Sequence, residues 1–206
     1  MTVQEIQTII DELEAAQAAD RPTETTPEIG VVMGSDSDLD TMFGAFEALS
    51  ELGFAECSDP ADPPAERFSY ETYVVSAHRT PELMYSYGKT ASDRGLDVII
   101  AGAGGKSADL PNMMASLAYP IPVIGVPVQE KSVDSVIGMP TGAPITAVDA
   151  GKSFNAALSA VQILAREHEE LEQALIDYHT ELQRDVGAVS ATLHEQGPTA
   201  FAERRQ

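Results

Sequence analysis

Short runs of valine and isoleucine alternate with segments of helical periodicity through the middle of the chain. The apolar runs predict five β-strands, at residues 29–33, 73–75, 98–101, 123–126 and 145–148. The periodic segments between them predict α-helices at residues 38–52, 81–94 and 108–118. Strands that are apolar on both faces are typical of sheets that are covered on both sides. The pattern therefore predicts an α/β fold with a central parallel sheet and helices on both of its faces.

Both ends of the chain add helical segments to this predicted sheet domain. Residues 3–19 carry apolar residues at three-to-four spacing, and the proline-containing stretch 20–28 indicates a linker. A long helix is predicted from about Lys152 to Gln183, and its apolar stripe continues after the last strand. Three breakers beyond it are expected to end the helix and leave a loose tail: Gly187, Gly197 and Pro198. The predicted parts are an N-terminal helix and linker, an α/β sheet domain and a C-terminal helical extension, at residues 1–28, 29–164 and 165–206.

Acidic residues outnumber basic ones by 33 to 12, so the formal net charge is −21. Such a surface repels polyanions, and we therefore expect neither nucleic acid nor an acidic membrane as a partner. The acid excess with few lysines indicates adaptation to high salt, where screening removes self-repulsion; the alternative is simply an acidic, soluble protein. No apolar run approaches the roughly 18 residues that span a bilayer, and the N-terminus lacks a signal-peptide pattern. We expect a cytoplasmic protein.

Three polar segments rich in glycine or serine follow the first three predicted strands, and each precedes a predicted helix. They are Gly34–Asp38, Ser76–Pro81 and Gly102–Ser107. In a doubly wound sheet the carboxyl ends of the strands meet at one edge, where helix N-termini point N–H groups at anions. We therefore expect one pocket that holds hydroxyls, a carboxylate, the His78 imidazole and the Arg79 guanidinium. This set suits a phosphorylated sugar.

Each segment also has a purely structural explanation, which the residues alone leave open. The serines can act only as helix caps. Thr80-Pro81 is itself a cap followed by proline at the first helical position, which would make His78 and Arg79 ordinary loop residues. The glycines can serve only tight turns.

The sequence predicts neither a metal site nor cysteine chemistry. Four acids between Asp36 and Glu47 match ligand positions of a calcium-binding EF-hand loop, but Thr41 stands where that loop requires glycine. The single cysteine, Cys57, lies in a proline-rich loop without a nearby histidine, so we do not expect it to be a nucleophile.

Taken together, the three segments resemble the N5-carboxyaminoimidazole ribonucleotide mutases of purine biosynthesis (the PurE family) and, less closely, the related aminoimidazole ribonucleotide carboxylases. The resemblance runs in order from about Ile29 to Leu164, and SAHRTP together with AGAGG is its most specific part. The motifs are VMGSDSD (Val32–Asp38), VVSAHRTP (Val74–Pro81), IIAGAGG (Ile99–Gly105), LP (Leu110-Pro111), PVIGVPV (Pro122–Val128) and MPTGAPI (Met139–Ile145).

This resemblance implies a flavodoxin-like three-layer subunit, a homo-octamer, and a reaction without metal or organic cofactor. The implied reaction moves a carboxylate from the exocyclic nitrogen of an imidazole ribonucleotide to its C4 carbon. By position, His78 would carry the proton, Ser35 and Asp38 would bind phosphate and ribose, and Arg79 would bind the phosphate end. The glycine loop 102–105 would close over the carboxylate. Further substrate contacts are expected from Gly34, Ser37, Ser76, Gly102, Ala103, Gly104, Gly105 and Lys106.

The chain also departs from the family pattern. The family follows AGAGG with two small residues and a histidine before LP, whereas this chain has four residues, Lys106–Asp109, and no histidine. Either Lys106 or Asp109 can take its place. Ala118-Tyr119-Pro120 resembles the carboxylase branch, which uses carbon dioxide directly, while Arg79 matches the mutase branch. We expect the mutase, with the direct carboxylase as the alternative.

A different class of function is a non-catalytic flavodoxin-like module that binds a nucleotide, a flavin or a partner protein. Strand-end loops of this kind serve many unrelated functions. The chain has no tryptophan, which weakens a flavin-stacking role.

The proline-rich loop at residues 56–70 is longer than the family's and receives no assigned function.

Overall fold

A six-stranded parallel sheet forms the centre of the computed structural model, which describes residues 2–19, 21–22, 25–59, 62–65 and 67–204. Its strands are β1 (Ile29–Met33), β2 (Ala55–Cys57), β3 (Ser69–Val74), β4 (Val98–Ala103), β5 (Val123–Pro127) and β6 (Thr146–Ala147). The strand order β2-β3-β1-β4-β5-β6 makes β1 the neighbour of both β3 and β4. The chain thus builds the sheet first on one side of β1 and then on the other, and α/β sheets bind ligands at such a switch point.

Helices cover both faces of the sheet. They are α1 (Gln4–Ala18), α2 (Leu39–Glu51), α3 (Pro81–Thr90), α4 (Leu110–Leu117), α5 (Val133–Ile137), α6 (Ser153–Leu164) and α7 (Glu169–Glu203). One apolar core lies between the sheet and α2, α6 and the start of α7, and a second lies between the opposite face and α1, α3 and α4. Every residue of β1, β4 and β5 is buried, as their apolar sequences require. The predicted three-layer α/β arrangement is confirmed.

Strand β3 corrects the expected strand at residues 73–75, because it begins at Ser69 and ends at Val74. Its first half is polar and includes Glu71, which is 1% exposed. The Arg94 Nη1 atom donates to both Glu71 carboxylate oxygens, at 2.7 and 2.6 Å. This pairing permits a charged residue in a buried strand, which a search for apolar runs does not find. The three-residue edge strand β2 was also missed.

The C-terminal region departs from the expected single helix over 152–183. It forms two helices, α6 and α7, separated at residues 165–168 without a glycine or proline between them. The break places the His168 ring against Phe68, with 5.1 Å between ring centroids, and buries Leu171 in the core. Tertiary packing therefore decides where α6 ends.

The expected break at Gly187 is wrong, because α7 continues through it. A glycine inside a helix is unfavourable by roughly 1 kcal/mol relative to alanine, which is too little to end a long helix. Gly197 does interrupt the helix, with a φ of 75°, and Pro198 follows it. The helix then resumes to Glu203, so the expected loose tail is helical instead.

The N-terminal helix forms where it was predicted. Ile10 and Leu13 of α1 are buried against α3, and the Gln17 side chain donates to Asp93 at 2.6 Å. Parts of the predicted linker (residues 20, 23 and 24) and of the long loop (60, 61 and 66) lie outside the described residues. Among the helices that the structure does describe, none combines the length and apolar character needed to cross a bilayer.

Candidate active site

The loops that follow β1, β3, β4 and β5 surround one cavity of about 440 Å³ at the carboxyl edge of the sheet. The three segments singled out from the sequence all contribute to it, because parallel strands end at the same edge. The cavity is lined by Gly34, Ser35, Ser37, Asp38, Ser76, Ala77, His78, Arg79, Ala103, Gly104, Gly105, Ser107, Asp109, Leu110, Gln129 and Lys131.

The segment after β1 forms a short 3₁₀ turn over Asp36–Asp38 before α2 begins. The Ser35 Oγ atom accepts a hydrogen bond from the Ser37 backbone N at 3.4 Å and donates to the Asp36 carboxylate at 2.9 Å. The bond from Ser35 is the main reason that the pKa of Asp36 lies below its usual value. Ser35 is thus a cap, as the structural explanation proposed, and it also lines the cavity.

The Asp38 side chain is buried between two glycines at the wall of the cavity. It is 6% exposed. A methyl group built on Gly34 would lie 3.5 Å from Asp38 Oδ2, and one built on Gly104 would lie 3.1 Å from Oδ1. The 3.5 Å distance at Gly34 is an ordinary contact, whereas 3.1 Å at Gly104 is tight, so glycine at position 104 lets the β4 loop approach the carboxylate closely. Burial raises the pKa of Asp38, because the ionised form loses hydration.

Arg79 connects the loops after β3 and β1. Its Nη2 atom donates to the Gly34 carbonyl at 3.0 Å, and its Nε donates to the Ser76 hydroxyl at 3.3 Å. The Ser76 backbone N in turn donates to Thr80 Oγ1 at 2.9 Å. These bonds hold the guanidinium at the cavity. Its planar arrangement of N–H donors suits a phosphate group.

His78 pairs with Asp109, which precedes α4. The His78 Nε2 atom lies 3.0 Å from Asp109 Oδ2, with the two side chains 62% and 43% exposed. The sequence left open whether Lys106 or Asp109 replaces the family's histidine. Asp109 is the one that contacts His78, whereas Lys106 is exposed and does not line the cavity.

The glycine loop after β4 meets the cavity through Ala103, Gly104 and Gly105. Gly102 lies one step deeper, within β4, where its carbonyl accepts the Gly34 backbone N–H at 3.0 Å. It does not line the cavity, although the sequence placed it among the substrate contacts.

The sequence reasoning missed Gln129 and Lys131, which reach the cavity from the loop after β5. The same strand-end rule that selected the first three segments would have found them if it had been applied to the fourth long apolar strand. Lys131 adds a second cation to a cavity that already holds Arg79. Two cations that line one cavity favour an anionic ligand.

Other parts of the described chain suit an anionic ligand or catalysis less well. A larger groove of about 630 Å³ beside α2 and β3 contains apolar side chains, Glu47, Glu51 and Glu56 but no cation. The buried Cys57 thiol has its pKa raised to about 11, mainly by desolvation, so it stays protonated near neutral pH. No cluster of three or more His, Cys, Asp or Glu residues suited to a metal ion occurs in the described ranges.

Comparison with known proteins gives a consistent set of similarities. The family model described as AIR carboxylase matches residues 28–185. The N5-carboxyaminoimidazole ribonucleotide mutase of Synechocystis is 42% identical, covering 89% of this chain and 98% of that protein. The mutase of Mycobacterium tuberculosis H37Rv is 43% identical and that of Pyrococcus horikoshii 40%, covering 84% and 83% of this chain and 93% and 91% of those proteins.

A solved structure shares the fold. The crystal structure of Treponema denticola PurE has a TM-score of 0.66 and 24% sequence identity to this chain. The match covers 81% of this chain and 98% of that one.

Proposed function

Because the chain belongs to the AIR carboxylase family, we propose that it is an N5-carboxyaminoimidazole ribonucleotide mutase of purine biosynthesis. It moves the carboxylate from the exocyclic nitrogen of the imidazole to its C4 carbon. The observation that carries this proposal is the convergence of Asp38, His78 and Gly104 from three separate loops on one cavity. The family membership and the names of the relatives support the same reaction.

The sugar phosphate binds at the β1 and β3 loops. The Arg79 guanidinium and the hydroxyls of Ser35 and Ser37 hold the phosphate, and arginine can contact two phosphate oxygens at once. The Asp38 carboxylate accepts hydrogen bonds from the ribose hydroxyls. Since a carboxylate only accepts hydrogen bonds and this one is buried, hydroxyl donors compensate its lost hydration.

His78 performs both proton transfers. Breaking the N–C bond to the carboxylate requires a proton on the exocyclic nitrogen, and restoring aromaticity after the C4–C bond forms requires removal of the C4 proton. An imidazole can give the first proton and take the second, so the reaction is balanced in protons. Backbone N–H groups of the 103–105 loop hold the carbon dioxide between the two steps, so that it does not escape into water.

The test supplies two substrates separately to the purified protein: the N-carboxylated nucleotide, and the uncarboxylated nucleotide with bicarbonate. We expect conversion of the first to the C4-carboxylated product and little conversion of the second. Conversion of the second alone would instead identify a direct carboxylase. Conversion of neither, in a protein that binds the nucleotide, would identify a non-catalytic module.

We also propose that the enzyme acts in the cytoplasm as a homo-octamer. Its catalytic domain spans residues 29–164, between the N-terminal helix with its linker and the C-terminal helical extension. The exposed apolar side chains of α7, Leu182, Val186 and Val189, support assembly, since such a stripe is normally covered. Sedimentation of the full chain should give an assembly of eight 21.9-kDa subunits. A chain that ends at Glu181 keeps the packed part of α7 and should form smaller particles; unchanged particles would contradict the role of the stripe.

A further inference from the structure

The His78 ring has a single close carboxylate in the described part of the chain. Its Nε2 atom lies 3.0 Å from Asp109, and no other carboxylate of the described residues lies within 4.0 Å of a ring nitrogen. The other charged side chains that line the same cavity are Asp38, Arg79 and Lys131. Among the described residues, the carboxylate that can orient this ring directly is therefore that of Asp109.

Asp109 is itself held from the opposite side. The Ser135 hydroxyl on α5 donates to Asp109 Oδ1 at 3.2 Å, while Oδ2 faces His78. The Ser135 carbonyl accepts a hydrogen bond from the Asn112 side chain at 2.8 Å, which ties α5 to α4. Each carboxylate oxygen thus has its own partner, and this fixes the plane of the carboxylate relative to the ring.

This arrangement determines which ring nitrogen carries the proton. An ionised carboxylate only accepts hydrogen bonds, so the nitrogen that faces it must be protonated. In the neutral imidazole the second nitrogen, Nδ1, then bears the lone pair. We propose that Asp109 is a positioning residue that holds the His78 proton on Nε2 and reserves Nδ1 for proton exchange with the substrate. Ser135 supports it by fixing the carboxylate.

The inference rests on the proposed function, since it assigns a task to the histidine of that reaction. The His78 side chain is 62% exposed, so packing restrains the ring little and its orientation depends on the contact with Asp109. Without Asp109 the ring can turn and populate both tautomers, and only one of them offers a proton acceptor at the required atom. Loss of orientation lowers the rate of the chemical step more than it lowers substrate binding.

The first test needs no substrate. Solid-state ¹⁵N NMR of histidine-labelled protein, at a pH where the ring is neutral, distinguishes the two tautomers, and His78→Asn assigns the signal. We expect the Nε2–H tautomer in the unmodified protein and a mixture in Asp109→Asn. Asp134→Asn removes an exposed carboxylate of α5 and is the matched control, with an unchanged spectrum expected. A predominant Nδ1–H tautomer in the unmodified protein would overturn the inference.

The second test is kinetic. We expect Asp109→Asn to lower kcat by about 10- to 100-fold with KM changed less than about twofold, as for other residues that orient a reactive side chain. Ser135→Ala should give a smaller decrease of kcat, of about two- to tenfold, and Asp134→Asn none. An Asp109→Asn enzyme that is folded by circular dichroism and keeps kcat within twofold would overturn the inference. Absence of turnover in the unmodified enzyme would overturn the proposed function instead, while the NMR result would still decide the orientation of His78.

Discussion

Two close pairs of a basic and an acidic side chain lie in opposite surroundings. The Glu71–Arg94 pair joins β3 to the segment after α3, and its side chains are 1% and 3% exposed. The His78–Asp109 pair lies at the cavity, with side chains 62% and 43% exposed. The N–O distances are 2.6 and 3.0 Å, so both are close pairs. The two pairs therefore differ in burial and not in distance.

The surroundings give the two pairs different consequences. The Arg94 Nε atom also donates to Thr90 Oγ1 at 3.0 Å, and the guanidinium lies 4.8 Å from the Tyr87 ring centroid. Burial alone would lower the pKa of Arg94, but the charge and hydrogen bonds of Glu71 together with Tyr87 and Tyr73 outweigh it, and the net shift is upward. Arg94 therefore stays charged, and at 3% and 1% exposure neither side chain can exchange its partner for water. At the cavity, water or substrate can replace either partner, so that pair adds little stability and is available for chemistry.

The largest effect on activity is expected at the exposed pair. His78→Asn keeps the approximate shape of the side chain but cannot relay protons, so turnover should fall by about 10²- to 10⁴-fold. Nucleotide binding, measured by calorimetry, should change little. His194→Asn, on the exposed part of α7, is the control and should keep full activity. Near-normal turnover of His78→Asn would contradict the acid–base role and leave the two pairs without a functional difference.

The largest effect on stability is expected at the buried pair. Arg94→Met leaves the Glu71 carboxylate buried without its cation and should lower the free energy of unfolding by about 3–5 kcal/mol. Urea unfolding at constant salt measures this loss, and the fraction that stays folded should keep a normal kcat.

The matched control for Arg94→Met is Arg184→Met, which removes the exposed Glu181–Arg184 pair. That pair has a distance of 2.9 Å, with side chains 63% and 70% exposed, and its loss should change the free energy of unfolding by less than about 1 kcal/mol. Equal effects of the two substitutions would show that burial does not separate the ion pairs.

Asp38 combines features of both regions, because it is buried like Glu71 but belongs to the cavity like Asp109. If it binds the ribose hydroxyls, Asp38→Asn should weaken nucleotide binding by about 1–3 kcal/mol, measured by calorimetry. Asp40→Asn, at the exposed start of α2, is the control and should bind normally. An unchanged affinity of Asp38→Asn would contradict the proposed contact.

The same substitution has an opposite effect on stability. Burial raises the pKa of Asp38, so the folded protein keeps this proton to a higher pH than the unfolded chain does. Stability therefore falls as the pH rises from the unfolded pKa through the folded one, and it stays lower above that window. Asp38→Asn cannot ionise, so it should melt at a higher temperature than the unmodified protein at pH 7. The difference should shrink as the pH falls below the unfolded pKa of Asp38; a constant difference would contradict this cause.

Much of the fold could be predicted from local pattern. The apolar runs of β1, β4 and β5 mark buried parallel strands, and the helices between them follow from periodicity. The prediction failed where a residue's environment depends on a distant partner. Glu71 interrupts the apolar pattern of β3 because its partner, Arg94, lies 23 positions further along the chain.

The candidate site was predicted in the same partial way. The strand-end rule selected the loops that hold Ser35, His78 and Gly104, which meet in one cavity. It did not reveal that Asp109 faces His78, because the two are 31 positions apart and the carboxylate is oriented by Ser135 on a third element. The end of α6 and the start of α7 were likewise set by packing against Phe68 and the core, since no glycine or proline lies between them.

The sequence by itself determined the parallel sheet, the three strand-end segments and the acidic net charge, because these depend on residue type and short-range spacing. Only the tertiary structure decided which charges are paired, which are buried and which side chains share the cavity. These properties arise when residues far apart in the chain come within a few ångströms, where desolvation and hydrogen bonding act. The sequence shows Glu71 and Asp109 only as two acidic residues. The tertiary structure buries Glu71 in the core beside Arg94 and places Asp109 at the cavity beside His78.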